Sequence, residues 1–587
     1  MSTSSFSSLV SSITDLSHDF YSRLHSSLVS PSQLPLPRRG KVPGPTWQEI
    51  AKTAQSHRDA SIAALEPPLP TIPWEIPQDV SHIPKRIFSE DIIAITEAAP
   101  EILVAKMASG DLTSVQVTTA FLRRAGLAQN LTNCITELLP AAALARAKYL
   151  DEYLSTNKKP IGPLHGLPIS VKEHIGMECL SLNAGFISWH AQTAVSNAHI
   201  LDILLAAGAV LYVRTTQPQT LMHLETSSNF YGVTVNPFNR LLTSGGSSGG
   251  EGALVGLRGS CLGIGTDIGG SIRSPAANCG VYGLRPTSYR LPNGDFAATM
   301  LGQEQVVPVV GPLSTSLGGV KLFMKTLIDA KPWLREPSLL PIFWNTESQL
   351  PSTPTGGKKL KIAVLSDDGI VKPHPPILRA ISTVVDKLKA IPDIEVVPWT
   401  PYAHDEAWTI ISSLYFCDGG AEESAAIEAS GEPWRPLSRF ILTDNPNVKH
   451  HSVRELWDWT VKREAYKAEY AKLWGDVDVI LCPVGPGAAP PLDCARYWGY
   501  TSQWNLLDYP ALVFPVTKVD PEVDLIEEGY HPRNDDDKYN YELYKPSTYA
   551  NAPVSLQLVG RRYEDEKVVE AMEYIEEKIG LPFVSFV

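Results

Sequence analysis

The 587-residue chain carries 50 Lys and Arg against 63 Asp and Glu, a formal charge of −13, with 43% hydrophobic and 19% charged residues. That balance is globular and excludes a disordered or collagen-like chain, and the acidity argues against a nucleic-acid-binding surface, which needs clustered Lys and Arg. No apolar run approaches the ~20 residues of a bilayer span, so a soluble chain without stable membrane insertion is expected.

The first 30 or so residues are rich in Ser but carry Asp15 and Asp19 and lack a long apolar stretch, which fits neither a secretory signal nor a mitochondrial transit peptide. Seven cysteines with no CxxC pair suggest reduced thiols and a cytoplasmic protein. Prolines crowd residues 31–85, so residues 1–85 are predicted to form a Ser/Pro-rich arm along the body, interrupted by one helix over about Trp47–Leu65. The main globular domain is expected over 86–587.

From Ser89 to about Asn157 the pattern is helical. Thr113 and Gln116 spell a capping box ahead of Val117, Phe121 and Leu122, and Ala141–Tyr153 reads as a further helix. Leu167–Val171 then looks like a short buried strand running into Lys172, with a helix at His199–Ala207 and a strand at Ala209–Val213. Further on, Lys361–Leu365 and Ile394–Val397 read as strands around a helix striped by Ile377, Ile381, Val384 and Leu388. Strands alternating with helices predict an α/β body with a mostly parallel or mixed sheet. Residues 519–545 hold nine acids and few aliphatics and read as a solvated surface insertion.

The most informative tract is Gly245-Gly246-Ser247-Ser248-Gly249-Gly250-Glu251-Gly252, followed by Gly265-Thr266-Asp267-Ile268-Gly269-Gly270-Ser271-Ile272-Arg273. Glycines beside a serine let backbone N–H groups converge on one point, forming the nest that an acyl-transfer oxyanion needs. Ser271, preceded by Ile268-Gly269-Gly270, is thus a candidate nucleophile within its own oxyanion hole. Gly245–Gly249 also satisfies G-x-S-x-G, the nucleophile elbow, but loop-forming residues precede it and no HGGG occurs. Glycines near a dinucleotide fingerprint have the wrong last spacing, and no phosphate P-loop is present.

A serine nucleophile needs a base. None of the fourteen histidines stands in a committing motif, whereas Lys172 closes the apolar stretch Gly166-Leu167-Pro168-Ile169-Ser170-Val171 and would serve if burial held it neutral.

The stretch Gly162–Glu173 closely resembles the lysine motif of the amidase signature family, and Gly245–Gly252 with Gly265–Thr287 looks like its signature block. Trp504–Pro510 and Leu556–Gly560 are similar to the fungal acetamidase or general amidase branch. The resemblance runs from about Ile93 to Leu581. It implies an α/β/α sandwich around a large mixed β-sheet, and a Ser-cisSer-Lys triad. In that triad Ser271 attacks the amide carbonyl, Ser247, on a cis bond after Gly246, relays the proton, and neutral Lys172 accepts it. The amides of Ile268, Gly269, Gly270 and Ser271 would hold the oxyanion, and Leu221 falls at a pocket-lining position. The implied reaction turns a monocarboxylic amide into carboxylate and ammonia without metal or organic cofactor. A lipid-amide or ester hydrolase, or the amidase subunit of a transamidating complex, are the alternatives within the family. The resemblance also points towards a homodimer.

Overall fold

A computed structural model describes residues 44–350 and 359–586; the Ser-rich beginning and the first prolines lie outside the described residues. Among the described residues the strands are β1 (Ile135–Leu138), β2 (Pro168–Lys172), β3 (Val210–Thr215), β4 (Ser227–Ser228), β5 (Gly232–Val233), β6 (Leu262–Asp267) and β7 (Tyr282–Arg285). They continue as β8 (Val309–Ser314), β9 (Leu360–Val364), β10 (Ile394–Pro398), β11 (Val479–Pro483), β12 (Ala511–Lys518) and β13 (Pro553–Val559). Eleven of them make one sheet in the order β1-β3-β2-β6-β8-β7-β12-β13-β11-β9-β10, and β4 pairs with β5 apart.

The sheet is mixed: β3, β2 and β6 run parallel, as do β11, β9 and β10, and the strands between them pair antiparallel. Every residue of β2, β6 and β13 is buried, so both faces are covered. Their polar side chains find partners inside: Ser170, Ser555 and Gln557 each donate to a buried acceptor. The result is the layered α/β architecture that the alternation of elements predicted. The capping box at Thr113 and Gln116 opens the helix Ser114–Thr132 as expected. The striped helix spans Pro375–Lys389. The short strand β1, hidden between two helices, was not anticipated.

One expected boundary shifts. The compact unit that carries the sheet begins at Thr46, not at residue 86. The helix Trp47–Ala63 forms with its own capping box, and the proline-rich stretch after it is part of the body because its hydrophobes are. Leu65, Val80 and Ile83 are core residues alongside Leu103 and Phe121, and Arg123 donates to the Pro67 carbonyl. Gly126 makes the approach possible: a methyl there would sit 2.8 Å from Leu69 Cδ1.

Most acids of residues 519–545 are exposed, and the segment is anchored on residues 367–379. Arg379 grips Asp524 through Nε and Nη2 at 2.6 and 2.8 Å, Arg533 grips Asp367 at 2.8 and 2.6 Å, and Lys372 reaches Glu527. Asp524 and Asp537 are buried. Two of the acids, Asp524 and Glu527, thus meet basic partners far away in sequence, and the last of the segment forms a helix, Asp535–Leu543.

Candidate active site

The parallel neighbours β2 and β6 set the site. Their register puts Ser170 opposite Gly263 and Val171 opposite Ile264, so Lys172 and Thr266 emerge together at the carboxyl edge, where open α/β sheets place their ligands. Lys172 Nζ lies 2.7 Å from Ser247 Oγ and 3.0 Å from Thr266 Oγ1, and the lysine is fully buried. Burial pulls its ammonium down to about 7, against the opposing influence of Asp267 and Glu251.

Glu251 lies on the wholly buried helix Gly249–Gly256. Burial pushes its carboxyl up to about 7, tempered by the hydroxyls of Ser170 and Thr215 and by Lys172; those hydroxyls donate at 2.5 and 2.8 Å. Gly263 makes room for it, since a methyl there would fall 1.9 Å from Glu251 Oε2.

The Gly246–Ser247 peptide is cis, as the resemblance implied. Thr226 holds this turn: its hydroxyl donates to the Gly245 carbonyl at 3.0 Å and accepts the Gly249 N–H at 2.9 Å. No strand precedes the turn, which removes the nucleophile-elbow arrangement. The Ser248 N–H donates to the Ser271 carbonyl at 3.1 Å, and the Thr266 N–H donates to Ser248 Oγ at 3.3 Å. The two glycine-serine loops are therefore clasped together, and Ser271 is buried beside Ser247's loop.

The loop Ile268–Ser271 is braced from both sides. Asp267 accepts N–H groups from Gly270 at 2.9 Å and Ile272 at 3.1 Å, and its two oxygens meet Arg273 Nη2 and Nε at 3.0 Å each. Burial would raise the Asp267 carboxyl, but Arg273 and Asn505 hold it well below the usual carboxylate range. The loop carbonyls are tied as well. Tyr415 donates to Ile268 O at 3.0 Å, Thr501 to Gly269 O at 2.7 Å, and the Ser274 N–H to Gly270 O at 2.7 Å.

One expected oxyanion donor has another partner in this arrangement. The Gly270 N–H is already committed to the Asp267 carboxylate, because that carboxylate sits inside the turn and collects its amides. Ile268, Gly269 and Ser271 are left as the amides not so engaged.

Leu221 ends a short turn, Gln219–Leu221, with φ 61°. It packs with Phe186, Ala297, Ile427 and Trp434, whereas Ile268 belongs to a separate cluster with Leu224, Tyr415 and Trp498. Thr226, Thr266, Tyr415 and Thr501 escaped the sequence reading. Only Thr266, next to Asp267 in the signature block, had a local signal. A cavity lined by Leu224, Ser274, Thr501 and Tyr497, and by Asp536 and Tyr539 of the 519–545 segment, abuts the helix Arg273–Asn278 that follows Ser271. Among the described residues no cluster suits a metal ion, and no helix is long and apolar enough to cross a membrane.

The family model Amidase matches residues 116–569. An acetamidase of Emericella nidulans is 42% identical over 546 residues, 91% of this chain and 98% of the relative. An acetamidase of Aspergillus oryzae is 39% identical over 92% of this chain and all of its own length. The solved structure of a fatty acid amide hydrolase superposes with a TM-score of 0.87 at 36% identity, covering 92% of this chain and 96% of that one. The chain belongs to the amidase family, and is a hydrolase acting on amide carbon–nitrogen bonds.

Proposed function

We propose that the chain hydrolyses a small monocarboxylic amide to carboxylate and ammonia, with Ser271 as nucleophile, Ser247 as proton relay and Lys172 as base. The observation that carries this is the buried 2.7 Å contact between Lys172 Nζ and Ser247 Oγ at the joint of two clasped loops. Desolvation brings the lysine into the range where a neutral amine exists at ordinary pH.

Neutral Lys172 takes the Ser247 proton as Ser247 takes that of Ser271, whose oxygen attacks the amide carbonyl. The amides of Ile268, Gly269 and Ser271 meet the oxyanion, in a loop whose carbonyls are fixed before substrate arrives. The lysine ammonium then returns the proton through Ser247 to the leaving nitrogen, which departs as ammonia. Water, deprotonated by the same route, cleaves the acyl-enzyme. Seven unpaired cysteines, four of them buried, support a cytoplasmic setting.

A serine-reactive fluorophosphonate with peptide mapping tests this assignment. Label on Ser271, lost in Ser271→Ala together with ammonia release, is expected; label on Ser247 alone would overturn it.

A further inference from the structure

A lysine acts as a base only while its lone pair faces the proton it is to take. Neutral Lys172 has two N–H donors and one lone pair, and two hydroxyls, Ser247 and Thr266, lie within reach of Nζ. A Thr266 hydroxyl turned towards Nζ would occupy the lone pair and leave Ser247 without an acceptor.

His174 decides which way Thr266 turns. Its Nδ1 lies 3.0 Å from the Ala297 carbonyl and its Nε2 lies 3.1 Å from Thr266 Oγ1. A carbonyl only accepts, so Nδ1 carries the ring proton and Nε2 is the bare acceptor. The Thr266 proton points at Nε2, and the Thr266 oxygen presents only lone pairs to Lys172. Lys172 must donate to Thr266 and keeps its own lone pair for Ser247.

The imidazole is locked in this arrangement. The Ala297 N–H donates to the His174 carbonyl at 2.9 Å, the His174 N–H donates to Gln217 Oε1 at 3.1 Å, and the ring stands edge-on to Phe296 at 5.5 Å. Burial keeps it neutral, and the charge of Arg214 on β3 acts in the same direction; Asp267 at the end of β6 and Glu251 on the helix Gly249–Gly256 face Lys172.

We propose that His174 is a positioning residue for the Lys172 base, acting through the Thr266 hydroxyl to reserve the lysine lone pair for Ser247. This rests on the assignment of Lys172 as base.

His174→Phe keeps the ring and its contact with Phe296 but removes both nitrogens. We expect kcat for an amide to fall about tenfold to hundredfold with KM held within about threefold. The acid limb of the kcat/KM profile should move to lower pH, because a Thr266 proton turned onto Nζ favours the neutral amine. His174→Gln, which can return an acceptor to Thr266, should recover most of the loss. In a Thr266→Val background the same His174→Phe change should cost less than about twofold, since the group it acts through is gone.

A folded His174→Phe enzyme with unchanged kcat and limb, or an equal loss in both backgrounds, overturns the proposal. If His174→Phe does not fold, a loss of about tenfold or more in His174→Gln does so instead. Failure of Ser271 to take the fluorophosphonate in the unaltered chain would sink the Ser271–Lys172 assignment itself. Label on Ser271 with an inert His174→Phe would sink only the role of His174.

Discussion

Tyr415→Phe isolates one brace of the signature loop. In a trans peptide the N–H points opposite to the C=O of the preceding residue, so the Tyr415 hydroxyl, by holding Ile268 O at 3.0 Å, aims the Gly269 N–H the other way. The tyrosine is fully buried and its ring packs 6.2 Å from Trp498, a contact that phenylalanine keeps. Removing the hydroxyl leaves a carbonyl without its donor, worth about 1–3 kcal/mol. At 1.36 kcal/mol per tenfold, that is a ceiling of about 5- to 150-fold in rate if all of it is felt in the transition state. Thr501 still holds Gly269 O, so the loop does not collapse. Loss of a whole oxyanion donor, about 10²–10³, is the outer bound. We expect kcat for ammonia release to fall about 5- to 50-fold with KM little changed, since the aim matters once charge develops on the oxygen. An unchanged kcat, or a loss confined to KM, would refute the claim that carbonyl tethers set the amides.

Three further outcomes follow from the same geometry. Protonated Lys172 cannot act as base, so kcat/KM should rise about tenfold per pH unit below its titration near 7 and level off above it; a profile flat from about pH 5 to 9 would rule out a buried lysine base. Lys172→Ala should damage amide turnover far more than turnover of the matching ester, because an amine leaves poorly without a proton, and equal losses on the two substrates would count against the proton-return step. Arg379→Ala strands the buried Asp524, at a cost of about 1–3 kcal/mol after discounting for the partly exposed arginine. Hydrogen-bonded backbone amides across 519–545 are expected to exchange slowly in the unaltered chain and faster in the variant; fast exchange there from the outset would mean the segment is not held as described.

Much of the fold was legible because it is written locally. A capping box occupies four residues, and a strand covered on both faces is mostly apolar, so Thr113 with Gln116 and the run into Lys172 announced themselves. The glycine–serine loops did too, because backbone that must turn N–H groups inward requires glycine at neighbouring positions. What the loops rest against carries no such mark. Tyr415 is 147 residues from Ile268, Thr501 is 232 from Gly269, and His174 is 92 from Thr266, and a lone hydroxyl or imidazole looks the same in sequence whether it braces a loop or faces water. The Gly270 amide looked free until the Asp267 carboxylate was found inside its own turn. The anchoring of 519–545 left no mark in the sequence, because Arg379 lies 145 residues from Asp524 and Asp367 lies 166 from Arg533. The sequence alone determined which backbone segments could form and which side chains could do chemistry. The tertiary structure alone decided which amides, lone pairs and charges are already spoken for, because hydrogen bonds and ion pairs are settled by proximity in space, which the spacing of residues along the chain does not encode.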